Sequence, residues 1–140
     1  MTKLTMTALA GLSALAVSAC AGPQYFQGPV AGVYEVPATA SRGVGTVVAV
    51  VYPSTRAMTY TVEYKDLTGP AAAAHFHGPA APGANAGVMI PVAVTPSPIK
   101  GGATLTDEQF AALQAGTIYF NMHTAANPGG EVRGQLLRAQ

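Results

Sequence analysis

Cysteine is nearly missing from this 140-residue chain, which has one, Cys20. No intrachain disulfide can form, so packing must hold the fold, and about 120 residues bury enough surface for that. Charge is scarce too: Asp, Glu, Lys and Arg make up 9% of the residues and form no basic run. Nucleic-acid binding is therefore not expected, since it draws on clustered Lys and Arg for phosphate contacts. There is no Gly-x-Ser-x-Gly elbow and no phosphate-binding glycine loop, so no nucleophile constellation is visible. The apolar stretch 8–17 is too short to cross a membrane and has the length of a signal-peptide core. Histidine is the most telling scarcity. All three, His75, His77 and His123, fall within two glycine-edged motifs, AAHFHGPA and YFNMHTAANPGGEVRGQL.

The N-terminal residues carry one basic side chain, Lys3, ahead of the apolar stretch, and end Val17-Ser18-Ala19-Cys20. That ending looks like a bacterial lipoprotein box, with residues 1–19 as the removed signal peptide and Cys20 lipidated as the new N-terminus. Several acyl chains would anchor the protein stably to a membrane, where one would not. An ordinary signal peptide leaving Cys20 as a free thiol is the plainer alternative. Ala21 after the cysteine resembles the sorting pattern of outer-membrane lipoproteins, which places the protein in the periplasm or outer membrane of a two-membrane host. With Lys3 gone, six basic side chains stand against six acidic ones. Residues 20–30, rich in Gly, Pro and Gln, read as a lipidated tether ahead of the domain 31–140.

Strand signals dominate that domain. Residues 44–52 form a β-branched run, and 58–64 alternate with Met58, Tyr60 and Val62 on one face, a hairpin closed by Pro53-Ser54-Thr55-Arg56. Residues 71–77 read as a strand entering the first histidine motif, 78–87 as a long loop, and 88–94 as a strand that Pro91 assigns to an edge. Residues 95–102 read as another loop. One short helix near 106–115 is marked by Thr106 as N-cap, Gln109 closing a capping box, Leu105 and Phe110 as a hydrophobic staple, and Gly116 as the stop. Residues 117–123 and 131–137 are strands about an Asn-Pro-Gly-Gly turn. Short strands with Gly/Pro turns make this an all-β, antiparallel Greek-key sandwich or barrel, of superoxide-dismutase-like or immunoglobulin-like type.

Strand alternation points His75 and His77 to one face and Phe76 to the other, about 7 Å apart along the chain, within reach of one ion. A third imidazole, His123, would complete a three-nitrogen metal site. Neutral imidazoles suit copper or zinc, and copper has the higher affinity for nitrogen sites. Zinc would ordinarily want a fourth protein ligand or a bound water. Outer groups that could orient the ligands are Asn121, on the face of His123; Glu131, which could instead pair with Arg133; and Tyr119, for which core packing is the more ordinary role. The plain alternative is three structural histidines bonded to main-chain carbonyls.

The motifs resemble the CHRD (chordin-type) domain. The resemblance runs through Glu35-Val36-Pro37, the strand at 44–51, Leu67-Thr68-Gly69-Pro70, HFHGPA, LTDEQFAALQAG and the last block. It implies a domain but little about chemistry. A second, weaker likeness is to copper/zinc superoxide dismutases, whose copper ligands include an H-x-H pair and a later strand histidine, with an arginine beside the copper. Carried across, it implies copper at His75, His77 and His123, and Arg133 as the catalytic guide for a small anion such as superoxide. The bridging histidine, the zinc ligands and the disulfide of that family have no counterpart here, so the likeness implies a copper-only site. The expectation is a lipid-anchored, extracytoplasmic copper-binding domain. Superoxide dismutation, copper holding or delivery without turnover, and a metal-free interaction module of the envelope all remain open as its use.

Overall fold

Alternating small and β-branched residues build most of the molecule. A computed structural model describes residues 22–140; the stretch 1–19 expected to be a signal peptide, and Cys20, lie outside them. In chain order the strands are β1 (Gln24–Ala31), β2 (Val44–Tyr52), β3 (Ala57–Lys65), β4 (Ala71–His77), β5 (Val88–Val92) and β6 (Ile99–Thr104). After the one helix, α1 (Asp107–Gln114), come β7 (Tyr119–Thr124), β8 (Val132–Gln135) and β9 (Leu137–Arg138). They form one antiparallel sheet in the order β5-β4-β7-β8-β1-β2-β3-β6, with β9 also on β1, curled into a nearly closed barrel.

The expected hairpin is present, with Tyr52 opposite Ala57 across the turn. Val47, Ala49 and Val51 from β2 and Met58, Tyr60 and Val62 from β3 point into the barrel. Phe26, Phe76 and Phe120 fill its middle. Each such aliphatic or aromatic side chain contributes roughly 1.5–3 kcal/mol on burial, which explains why no disulfide is required. Pro91 does lie on an edge strand, since β5 ends the sheet. The helix keeps its signals. Thr106 accepts from the Gln109 backbone, the Gln109 side chain accepts from the Thr106 backbone, and Gly116 sits at φ +69° beyond the end.

Two expectations are corrected. The tether assigned to residues 20–30 becomes, from Gln24 onward, β1, lying between β8 and β2. Its Gly, Pro and Gln content hid a period-two pattern that buries Phe26, Gly28 and Val30. Pro29 is tolerated because β1 is ladder-paired with β2 throughout but with β8 only at Ala31 and with β9 only at Phe26 and Gln27. The loop assigned to 95–102 contains the start of β6, which pairs with β3 from Ile99 onward. Glycine at 101 is needed there, because a Cβ would collide with the Tyr60 ring. A steric need of that kind reads in sequence as a turn.

Candidate metal centre

β4 and β7 lie side by side, and their outer faces carry the histidines. Phe76 goes into the core, which sends His75 and His77 outward together. The register sets His75 opposite Asn121, His77 opposite Tyr119, and Ala73 opposite His123. Small Ala73 leaves room for the His123 ring to lean toward β4. The ring centroids of His75 lie 5.4 Å from His77 and 5.2 Å from His123. One nitrogen from each of the three falls within 4.8 Å of the others, and all three side chains are half-buried. Among the described residues this is the one cluster of His, Cys, Asp and Glu able to hold a metal ion.

The nitrogens are sorted by their partners. His77 Nδ1 donates to Ala86 O at 3.0 Å and His123 Nδ1 to Pro128 O at 3.0 Å, since a carbonyl can only accept. Both rings therefore present Nε2 as a lone pair. His77 Nε2 is buried with no partner, a costly arrangement for a polar atom. His123 Nε2 lies 3.3 Å from His75 Nδ1, which carries the proton between them. Two nitrogens each about 2.0–2.1 Å from a common ion at a near-tetrahedral angle would be about 3.3 Å apart, so the spacing fits. A metal ion and the His75 proton compete for this position. Burial pushes the pKa of His75 down, with help from His123; burial likewise lowers that of His77, against the Ala86 hydrogen bond that raises it. Both effects favour the neutral imidazole a metal needs.

Tyr119 supports this arrangement directly. Its ring stacks on His77 at 5.0 Å and 6°. Its hydroxyl accepts from Ala86 N at 3.1 Å and donates to Ala86 O at 3.3 Å, fixing the same carbonyl that orients His77. Arg133 approaches Tyr119 from the β8 side, its guanidinium 3.5 Å from the ring centroid. It makes no hydrogen bond to a histidine, though its charge helps lower the pKa of His77; it donates to Asn85 Oδ1 at 3.1 Å and Gln135 Oε1 at 3.4 Å, and is 1% exposed. The arginine thus stands behind Tyr119 instead of beside the nitrogens. Asn121 shares the face but turns away, donating to Glu35 Oε1 and leaving its own Oδ1 buried and unpartnered. Burial raises the Glu35 carboxyl to about 7, although Arg133 and Asn121 pull the other way.

Glu131, expected to pair with Arg133 or orient a histidine, does neither. Ser41 Oγ donates to it at 2.6 Å, Thr68 N at 2.7 Å, Thr68 Oγ1 at 2.6 Å and Asn127 Nδ2 at 3.2 Å, with Thr124 Oγ1 completing the cage. Burial alone would raise its pKa, but the hydroxyls of Ser41, Thr124 and Thr68 outweigh that and hold it at about 2. It fastens three loops to the sheet. Sequence reasoning overlooked Glu35, Asn85 and the carbonyls of Ala86 and Pro128. A main-chain carbonyl has no sequence signature, and Asn85 lay in a loop read only as turn residues.

No curated protein and no solved structure gives a significant match to the chain. A family model described as the CHRD domain matches residues 26–136, which span β1 to the end of β8 with the histidine face between. With both motif blocks and all of β2 to β8 inside that match, the chain belongs to the CHRD-domain family.

Proposed function

We propose that this domain binds one copper ion through His75 Nδ1, His77 Nε2 and His123 Nε2. The observation that carries the reading is the pair of Nδ1 protons committed to the Ala86 and Pro128 carbonyls, which leaves lone pairs converging and one of them buried and unsatisfied. Histidine ligands are commonly oriented through the second nitrogen in this way. No fourth His, Cys or carboxylate joins the cluster among the described residues, which disfavours a closed zinc site and suits copper on nitrogen affinity. Bound there, copper would supply one-electron redox chemistry, and the likeness of the histidine order and Arg133 to copper/zinc superoxide dismutases makes superoxide the small anion proposed for it.

The protein's own contribution is to hold three imidazoles neutral and fixed, through Tyr119, Ala86 and Pro128. Arg133 adds positive potential from behind Tyr119 and attracts an anion at long range. Its enclosure favours a second reading, copper holding or delivery without turnover. The same proposal sets the domain outside the cytoplasm, anchored to a bacterial membrane through lipid on Cys20.

Metal analysis of protein isolated from its native compartment tests binding: one equivalent of copper is expected, and none in His75→Ala with His123→Ala. Metal retained by that double variant would refute the site. Superoxide decay over the copper-loaded protein then separates the two uses, since decay at the buffer rate leaves only holding.

A further inference from the structure

The polar groups left over by the histidine centre line a separate space. A cavity of about 370 Å³ lies between the short helical turn Gly32–Tyr34, the loop at 82–83 and the strands β1, β8 and β9. That volume falls in the range of sites for small organic molecules. Its rim is apolar and in water: Val33 is 69% exposed and Leu137 54%, with Val36 beside them. Its floor is polar, formed by Arg133, Gln135 and Glu35.

The charge balance of that floor is unusual. Arg133 is all but fully buried, yet both of its hydrogen-bond partners are neutral amides. The single ion pair among the described residues, Arg56 with Asp107, lies elsewhere. Buried guanidinium groups ordinarily meet a carboxylate, because an unpaired buried charge is costly. Glu35 shares the cavity but is held by Asn121 and makes no ion pair with Arg133; burial raises it to about 7 against the pull of the Arg133 charge, so at neutral pH it offsets the arginine only in part. Stacking on Tyr119 fixes the guanidinium in place, so an incoming anion would meet a preorganised fork of donors.

We propose that this cavity binds a small amphipathic carboxylate, its acid group paired with Arg133 and its apolar body laid against Val33, Val36 and Leu137. The complementarity is specific in both parts. A neutral molecule of the same shape would leave the guanidinium unpaired, and a small inorganic anion would leave the apolar rim in water. The site needs no metal, so it stands or falls apart from copper binding.

Phenylacetate and its neutral isostere phenylacetamide, titrated into the protein and followed by backbone and side-chain NMR, test it. Saturable shifts are expected at Val33, Val36, Arg133 and Leu137, with the acid binding at least tenfold tighter than the amide. Arg133→Gln should bring the two affinities within about threefold of each other. Because Arg133 is buried and its variant could unfold, Val33→Trp on the exposed rim provides the second arm. It should fill the cavity, weaken the acid at least tenfold and leave the histidine resonances unmoved. Equal binding of acid and amide by the natural protein, shifts that map away from the cavity, or full affinity in Val33→Trp would each overturn the assignment.

Discussion

The histidine face and the Glu131 cage both set polar atoms against β7, through His123 in one and Thr124 in the other, and treat them oppositely. Around Glu131 each carboxylate oxygen is met by donors from Ser41, Thr68, Thr124 and Asn127, and nothing is left over. Around the histidines, His77 Nε2 and Asn121 Oδ1 remain without partners. A closed set of hydrogen bonds stabilises the fold and has no capacity for a ligand. An open set costs stability and retains that capacity. In the proposed function it is the unsatisfied atoms, more than the mere presence of histidine, that single out the site.

The sharpest way to break the contrast is to exchange its consequences. His75→Ala with His123→Ala should lower copper affinity by about a thousandfold or more, about 4 kcal/mol, while the unfolding midpoint in chelator moves little; calorimetric titration and urea melts measure the two. A large fall in metal-free stability would make these histidines structural. Glu131→Ala should do the reverse. It strips the acceptor from several donors and should cost on the order of 3 kcal/mol in urea unfolding, yet leave copper stoichiometry intact at temperatures where the variant stays folded. Unchanged stability would show that the cage holds nothing together.

The two buried carboxylates sharpen the contrast through pH. Glu131 is held at about 2 against a usual 4.5, so its stabilisation is complete above about pH 4.5 and is lost as pH falls toward 2. Glu35 is raised to about 7, so its contribution is complete below 4.5 and is lost as pH climbs through 7. Stability should therefore fall on both sides of mildly acidic pH. Glu131→Gln should flatten the acid limb and Glu35→Gln the neutral one, read from denaturant midpoints across the pH range. If both limbs survive both substitutions, other groups set them. The smallest effect belongs to Tyr119→Phe. Loss of its hydroxyl frees Ala86 and should cost about 1 kcal/mol, with copper affinity reduced several-fold as the His77 ring loses its guide.

How much of this was readable beforehand differed by element. The 44–52 and 58–64 hairpin was legible because its alternation is uninterrupted, and α1 because its capping box is a local interaction. The histidine trio was legible because strand alternation alone fixes the facing of His75 and His77. β1 was not, since Gly28 and Pro29 interrupt its pattern and its missing ladder partners depend on where β8 ends. Glu131 was misjudged for a related reason. Nearness in sequence to Arg133 says nothing about Ser41 and Thr68, which reach it from 90 and 63 residues away.

From residues alone came the all-β class, the hairpin, the helix with its caps, and three histidines grouped by spacing. These rest on local physics: side-chain alternation, capping geometry and turn chemistry act over a few residues. Tertiary structure alone decided which nitrogen each histidine presents, that Arg133 stands behind Tyr119, and that Glu35 and Arg133 share a cavity without pairing. Those outcomes depend on loops arriving from distant parts of the chain, and a carbonyl's position or a missing partner is a property of the assembled fold.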